Sequence, residues 1–177
     1  MIITISGESC TGTTTLTRNL SRALNIHCFM AGELFREILA NQSKSVMDMI
    51  EEEKNDFTLD KLVDGKMIMI LQNEKNAIVE GRVSGFLAWK YNIPSKRILL
   101  TSTIETKTQR LMMREKENTP EVAMKKLLTR DAEDWKRYQK LYQMNPEDQA
   151  TWYTLALATD HDSIDEVLAK AIAHVQG

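Results

Sequence analysis

The stretch Ile2-Ile3-Thr4-Ile5-Ser6-Gly7-Glu8-Ser9-Cys10-Thr11-Gly12-Thr13-Thr14-Thr15 decides how the rest of the chain is read. Its first half is an apolar run of strand length. The residues from Thr13 to Leu24 carry leucines at 16, 20 and 24, a helical spacing. Between strand and helix lie Gly7 and Gly12, placed as in the pattern G-x-x-x-x-G-K-S/T, whose meaning depends on a strand before it and a helix after it. Glycines let the backbone turn tightly and present N–H groups inward, and the helix N-terminus adds partial positive charge. Gly7, Glu8, Ser9, Cys10, Thr11, Gly12, Thr13, Thr14 and Thr15 are therefore predicted to cradle a polyphosphate, with the Thr14 hydroxyl placed to ligand Mg²⁺. One position departs from the pattern: Thr13 stands where a lysine normally reaches the β- and γ-phosphates. Glu8 brings a carboxylate close to the expected anion, so its side chain is expected to point away.

Outward from this loop, short β-rich runs alternate with longer helical patterns, the order that builds a mainly parallel sheet with helices on both faces. Strands are predicted at Ile2 to Ser6, His27 to Met30, Ala77 to Glu80, Arg97 to Thr101 and Tyr153 to Thr159. The stretch between Met30 and Ala77 reads as helix throughout and is too long for a single crossover, so it predicts a helical insertion. Ser45 can cap one of its helices, and Glu51-Glu52-Glu53 ends that helix or faces water. Further helices are predicted from Ile104 to Glu117 and from Pro120, capped by Thr119, to about Gln143. Ser163 and Glu166 have the spacing of a capping box for the last helix.

With 177 residues the chain supports one real core. A composition of 42% hydrophobic and 27% charged residues with net charge −2 argues against attachment to nucleic acid or membrane by bulk charge. No run approaches the roughly 18 to 20 apolar residues that span a bilayer. The opening strand lacks the basic lead of a signal peptide. Cys10 and Cys28 have neither disulfide-framework nor metal-ligand spacing. The expectation is a soluble, cytoplasmic monomer. His27, His161 and His174 share no spacing that suggests a metal site or base, and Trp135, Tyr138 and Tyr142 recur at core intervals.

Three more segments, Ala31-Gly32-Glu33-Leu34-Phe35-Arg36, Val79-Glu80-Gly81-Arg82, and Arg130-Asp131 with Arg137, follow the loop in order. Together they resemble the nucleoside monophosphate kinases, and most closely the archaeal-type cytidylate kinases, over nearly the whole chain. The resemblance implies a single three-layer α/β domain of the P-loop NTPase type, with a five-stranded parallel sheet, a helical acceptor-binding insertion over 32–72 and a short lid over 114–120. It implies ATP and Mg²⁺ as cofactors and CMP or dCMP as acceptor. It places Gly32, Arg36, Gly81 and Arg82 at the acceptor phosphate, and Glu80, with Thr14, at the metal. Arg130 and Arg137, seven residues apart, emerge from one helix face and are expected to clamp both phosphates during transfer. Arg114 joins them as a catalytic candidate, and Arg110 shares its face on the donor side.

A phosphate acceptor is already ionised near neutral pH, so the chemistry needs alignment and positive charge rather than a general base. That accounts for arginines in place of a Ser-His-Asp or Cys-His set. Bacterial relatives read cytosine with an aspartate after the arginine of their G-R segment. Here that residue is Val83, and Ala31 replaces a hydroxyl residue before the glycine of the acceptor motif. Asp60 and Asp64 of the insertion are polar candidates for the base. Two other readings fit the same residues: a kinase for AMP, UMP or a small metabolite, and a nucleotide-binding module without transfer activity, which Thr13 and Glu8 would favour.

Overall fold

A computed structural model describes residues 1–41, 57–116 and 119–177 of the chain. Five strands, β1 (Ile2–Gly7), β2 (Cys28–Met30), β3 (Ala77–Glu80), β4 (Lys96–Thr101) and β5 (Leu155–Ala158), form one sheet in the order β2-β3-β1-β4-β5. Every pairing is parallel, with Ile5 opposite Glu80 on one side and Ile98 on the other. Both faces are covered, which is why the central strands are largely buried.

Alternation along β1 sends Ile3 and Ile5 to one face and Ile2 to the other. Ile3 and Ile5 meet Leu16 and Leu20 of α1 (Thr13–Leu24) and Val167, Ala171 and Val175 of α8 (Ile164–Gln176). On the opposite face Ile2, Val79 and Val83 pack with α2 (Ala31–Asn41), α3 (Thr58–Asn73) and α4 (Ser84–Lys90), closed by Trp152 of α7 (Gln149–Trp152). The two long helices α5 (Ile104–Glu115) and α6 (Pro120–Tyr142) pair through Leu111, Ala123 and Leu127. Trp135, Tyr138 and Tyr142 of α6 pack against the α2–α4 core, as their spacing predicts.

Helix starts follow the expected chemistry. The Thr119 side chain accepts from Val122 N–H, with Pro120 at the first helical position, and Ser163 and Glu166 complete a reciprocal capping box. Two helices escape sequence reading. The α4 segment Ser-Gly-Phe-Leu-Ala-Trp-Lys has five consecutive buried residues from Ser84 to Ala88, so no polar face reveals a period. The short α7, entered through a 3₁₀ turn at Pro146–Asp148, is too brief to show one. The fifth strand is shorter than predicted: the Tyr153 ring lies where a Cβ on Gly85 would be, 2.3 Å from Cε1, and Thr159 turns its hydroxyl toward the opening loop. Ser45 and the run Glu51-Glu52-Glu53 lie outside the described residues. Among the described residues no helix is long and apolar enough to cross a membrane.

Candidate active site

The strand order changes direction at β1: β2 and β3 lie to one side and β4 and β5 to the other. Open parallel sheets bind ligands beyond the carboxyl ends of their strands at such a reversal. Here the carboxyl end of β1 runs into the loop from Gly7 to Thr13. Within it Cys10 (φ 66°) and Gly12 (φ 100°) are left-handed, separated by Thr11. This alternation turns successive N–H groups toward a common point, a nest suited to an anion. Gly7 is required by its neighbours, because a Cβ there would stand 2.7 Å from the Leu100 carbonyl oxygen. Gly12 caps α1 without any side-chain hydrogen bond, so the first amides of that helix lack an internal acceptor.

The loop opens on a cleft of about 1120 Å³. Gly7 through Thr15, Gly32, Arg36, Glu80, Gly81, Arg82, Arg110, Arg114, Arg130 and Arg137 all line it. Residues spread from 7 to 137 in sequence therefore converge on one space. Arg36, Arg114 and Arg130 are exposed, whereas Arg82 and Arg137 are partly buried and paired with carboxylates. A side chain at Gly32 would meet only Arg36 Nη1, at 3.7 Å, so no close neighbour within the protein demands glycine there.

Arg82 is held on three sides. Its Nη1 donates to Asp131 Oδ1 at 3.0 Å, its Nη2 to Ser9 Oγ at 2.8 Å, and its Nε lies 2.9 Å from Asp134 Oδ2. Asp134 also bonds Arg137, whose Nε is 3.2 Å from Asp60 Oδ1. Arg110 donates to the Cys10 carbonyl at 3.1 Å and to the Thr159 hydroxyl at 2.9 Å, tying the loop to the end of β5. Arg114 pairs with its neighbour Glu115 at 2.7 Å.

Glu8, the misplaced carboxylate of the sequence pattern, is turned away by two donors. Lys107 Nζ reaches Glu8 Oε2 at 2.5 Å, and Trp135 Nε1–H donates to Oε1 at 3.3 Å. Lys107 also bonds Asp131 Oδ2 at 2.7 Å and is 4% exposed. Burial alone would push its ammonium pKa down, but the Asp131 and Glu8 carboxylates outweigh it and raise it. Sequence reading passed over Lys107, although a signal existed. It lies four residues before Leu111 on the apolar stripe of α5, and a lysine at a core position calls for a buried partner. Trp135 and Tyr138 were expected as core alone. They pack as such, yet the Trp135 indole holds Glu8 and Tyr138 lines the cleft.

At the end of β3 the Glu80 carboxyl accepts from the Thr13 hydroxyl at 2.9 Å, and burial raises its pKa. The threonine that replaces lysine thus touches the acid expected at the metal. Mg²⁺ typically takes one or two carboxylates, with waters and substrate phosphates completing its shell. Glu80 and the exposed Thr14, lining the same cleft, fit that requirement. Among the described residues no cluster of three His, Cys, Asp or Glu side chains could hold a metal by itself.

A parallel sheet of this order, with a phosphate nest after β1 and an arginine-lined cleft opposite, defines a P-loop kinase. In solved structures the same fold occurs in the shikimate kinase of Aquifex aeolicus, with a TM-score of 0.66 at 16% identity over 100% of this chain and 97% of that one. A protein from Eubacterium ventriosum aligns with a TM-score of 0.70 at 17% identity over 100% and 99% of the two chains. Residues 2–161 match the cytidylate kinase-like family, and the chain belongs to it. Its relatives include the cytidylate kinase of Methanosphaerula palustris, 30% identical over 94% of this chain and 93% of that protein. The cytidylate kinase of Methanocaldococcus jannaschii is 27% identical over 99% of both.

Proposed function

We propose that the protein is an ATP-dependent kinase that moves the γ-phosphoryl group onto CMP or dCMP. The observation that carries this reading is the uncapped α1 N-terminus facing arginines across a single cleft. A binder of one nucleotide has no need of a second cationic phosphate site. Membership of the family and the names of its relatives supply the acceptor.

In this reading the amides of Gly7 to Thr15 hold the donor's β- and γ-phosphates, and Arg110 and Arg114 attend the donor side. Thr14 and Glu80 hold Mg²⁺, which when bound neutralises charge on the β- and γ-oxygens. Arg36 and Arg82 grip the acceptor phosphate, and Gly32 permits close backbone approach. An oxygen of that phosphate, already ionised, forms the new P–O bond in line as the bond to the leaving ADP oxygen breaks. Arg130 and Arg137 follow the charge as it shifts. Arg114 and Arg130 supply the cation that the loop lacks at Thr13. Closure of α2 and α3 over both nucleotides keeps water from the γ-phosphate; the expected insertion over 32–72 and lid over 114–120 lie partly outside the described residues.

The test is ADP formation from ATP and Mg²⁺ with CMP, dCMP, UMP, AMP and no acceptor. The expected result is turnover that depends on acceptor and is fastest with CMP or dCMP. Slow hydrolysis indifferent to acceptor would establish a nucleotide-binding module instead, and preference for AMP or UMP would reassign the acceptor.

A further inference from the structure

The roles above leave part of the cleft unassigned. Phe35 of α2 and Val63, Asp64 and Met67 of α3 line it as well. Phe35 is 40% exposed, while Val63 and Met67 are buried. An exposed aromatic ring and two buried apolar side chains on neighbouring helices suit a flat, largely apolar ligand group. Asp64 is the polar exception. It is 5% exposed, and its Oδ2 accepts from the Tyr142 hydroxyl at 2.5 Å. Asp60 lies one turn earlier on α3, about 6 Å along the axis, and pairs with Arg137. Phe35, Val63, Asp64 and Met67 thus share the cleft with Arg36 and Arg82, the grips on the acceptor phosphate in the reading above, and offer its base the apolar side of that space.

We propose that Asp64, oriented by Tyr142, determines base specificity by accepting a hydrogen bond from an exocyclic amino group. This inference rests on the kinase reading above. An ionised carboxylate offers acceptors only. Cytosine presents its N4 amino group as a donor, whereas thymine, and likewise uracil, presents a carbonyl oxygen at the same place. The second base would set lone pairs against the lone pairs of a carboxylate that is itself buried. Burial, helped by the Asp60 charge, pushes the Asp64 pKa up to about 6 against the opposing Tyr142 hydrogen bond and Arg137 charge. The group is therefore ionised at neutral pH but poorly solvated, and an incoming N–H relieves that deficit. The amino-for-carbonyl contrast also does without an aspartate at position 83.

The test compares kcat/KM for CMP and UMP in the wild-type protein and Asp64→Asn. An asparagine amide can turn to pair with either base, so the CMP:UMP ratio is expected to fall at least about tenfold. The KM for CMP should rise and that for UMP fall, while kcat at saturation stays within a few fold. Tyr142→Phe should move the ratio the same way by less. A measurement on the unaltered protein guards against misfolding of the variant: CMP dimethylated at N4 should show a KM at least about tenfold above that of CMP. A folded Asp64→Asn variant with an unchanged ratio, or equal KM for CMP and its dimethyl analogue, overturns the inference while leaving the kinase standing. A wild-type protein whose ADP formation no monophosphate accelerates overturns both.

Discussion

Lys107 joins the phosphate loop to α6 through Glu8 and Asp131, all three in one hydrogen-bonded chain. Removing the lysine leaves Asp131 with Arg82 and the partly exposed Glu8 with Trp135, so the loss is that of two charge-assisted hydrogen bonds, about 1–3 kcal/mol. Lys107→Met should therefore lower the denaturant midpoint substantially and raise the KM for ATP; an unaltered midpoint would show that Glu8 and Asp131 rehydrate freely. In the proposed mechanism Arg114 and Arg130 supply the cation absent at Thr13, so alanine at either should cut kcat by about tenfold or more in steady-state assays. Loss at neither position would remove that compensation from the mechanism. Asp64 yields a pH dependence of the opposite sign to most carboxylates. Its folded pKa of about 6 lies above the ordinary 3.8, so the native state binds the proton more tightly than the unfolded chain. The cost of its ionisation is fully present above pH 6 and disappears as pH falls toward 4. Asp64→Asn should accordingly stabilise the protein at pH 8, by up to about 3 kcal/mol. That gain should fade in thermal melts between pH 6 and 4.

At the scale of elements, the start of α1 has no side-chain cap and lines the cleft. Gly12→Ala would force a side chain into a backbone at φ 100°. We expect the far-UV spectrum to be retained and ATP affinity, by titration calorimetry, to fall about tenfold or more. The strand before this helix, the glycines and the helix itself were all legible in sequence, because each rests on a local rule. So were the caps at Thr119 and Ser163. The α4 helix was not, since five buried residues in a row followed by two exposed ones leave no amphipathic period to read. The partners of Glu8 were hidden for a different reason: Lys107 and Trp135 lie 99 and 127 residues away, and only the packed α5–α6 pair brings them to the loop. Motif reading recovered which arginines line the cleft, but not that Arg82 is already engaged by Asp131 and Asp134, nor that Arg137 also pairs with Asp60.

Across the whole molecule these contacts form one polar path. It runs from Glu8 through Lys107, Asp131, Arg82, Asp134 and Arg137 to Asp60 on α3. An acceptor phosphate must compete with these carboxylates for its arginines, so binding should loosen the present arrangement and let α2 and α3 move against the sheet. Small-angle scattering with a bisubstrate analogue should show a smaller radius of gyration than the free protein; identical curves would rule out closure. The sheet order has a further consequence, for synthesis. The opening strand is central and gains its two neighbours only with β3 and β4, after some seventy and ninety intervening residues. A ribosome making this chain at about 5–20 residues per second must hold the nascent nucleotide-gripping turn unfinished for several seconds. The β3 side can close once Glu80 has cleared the exit tunnel, but the β4 side waits for Thr101, so the turn acquires its full support in two instalments.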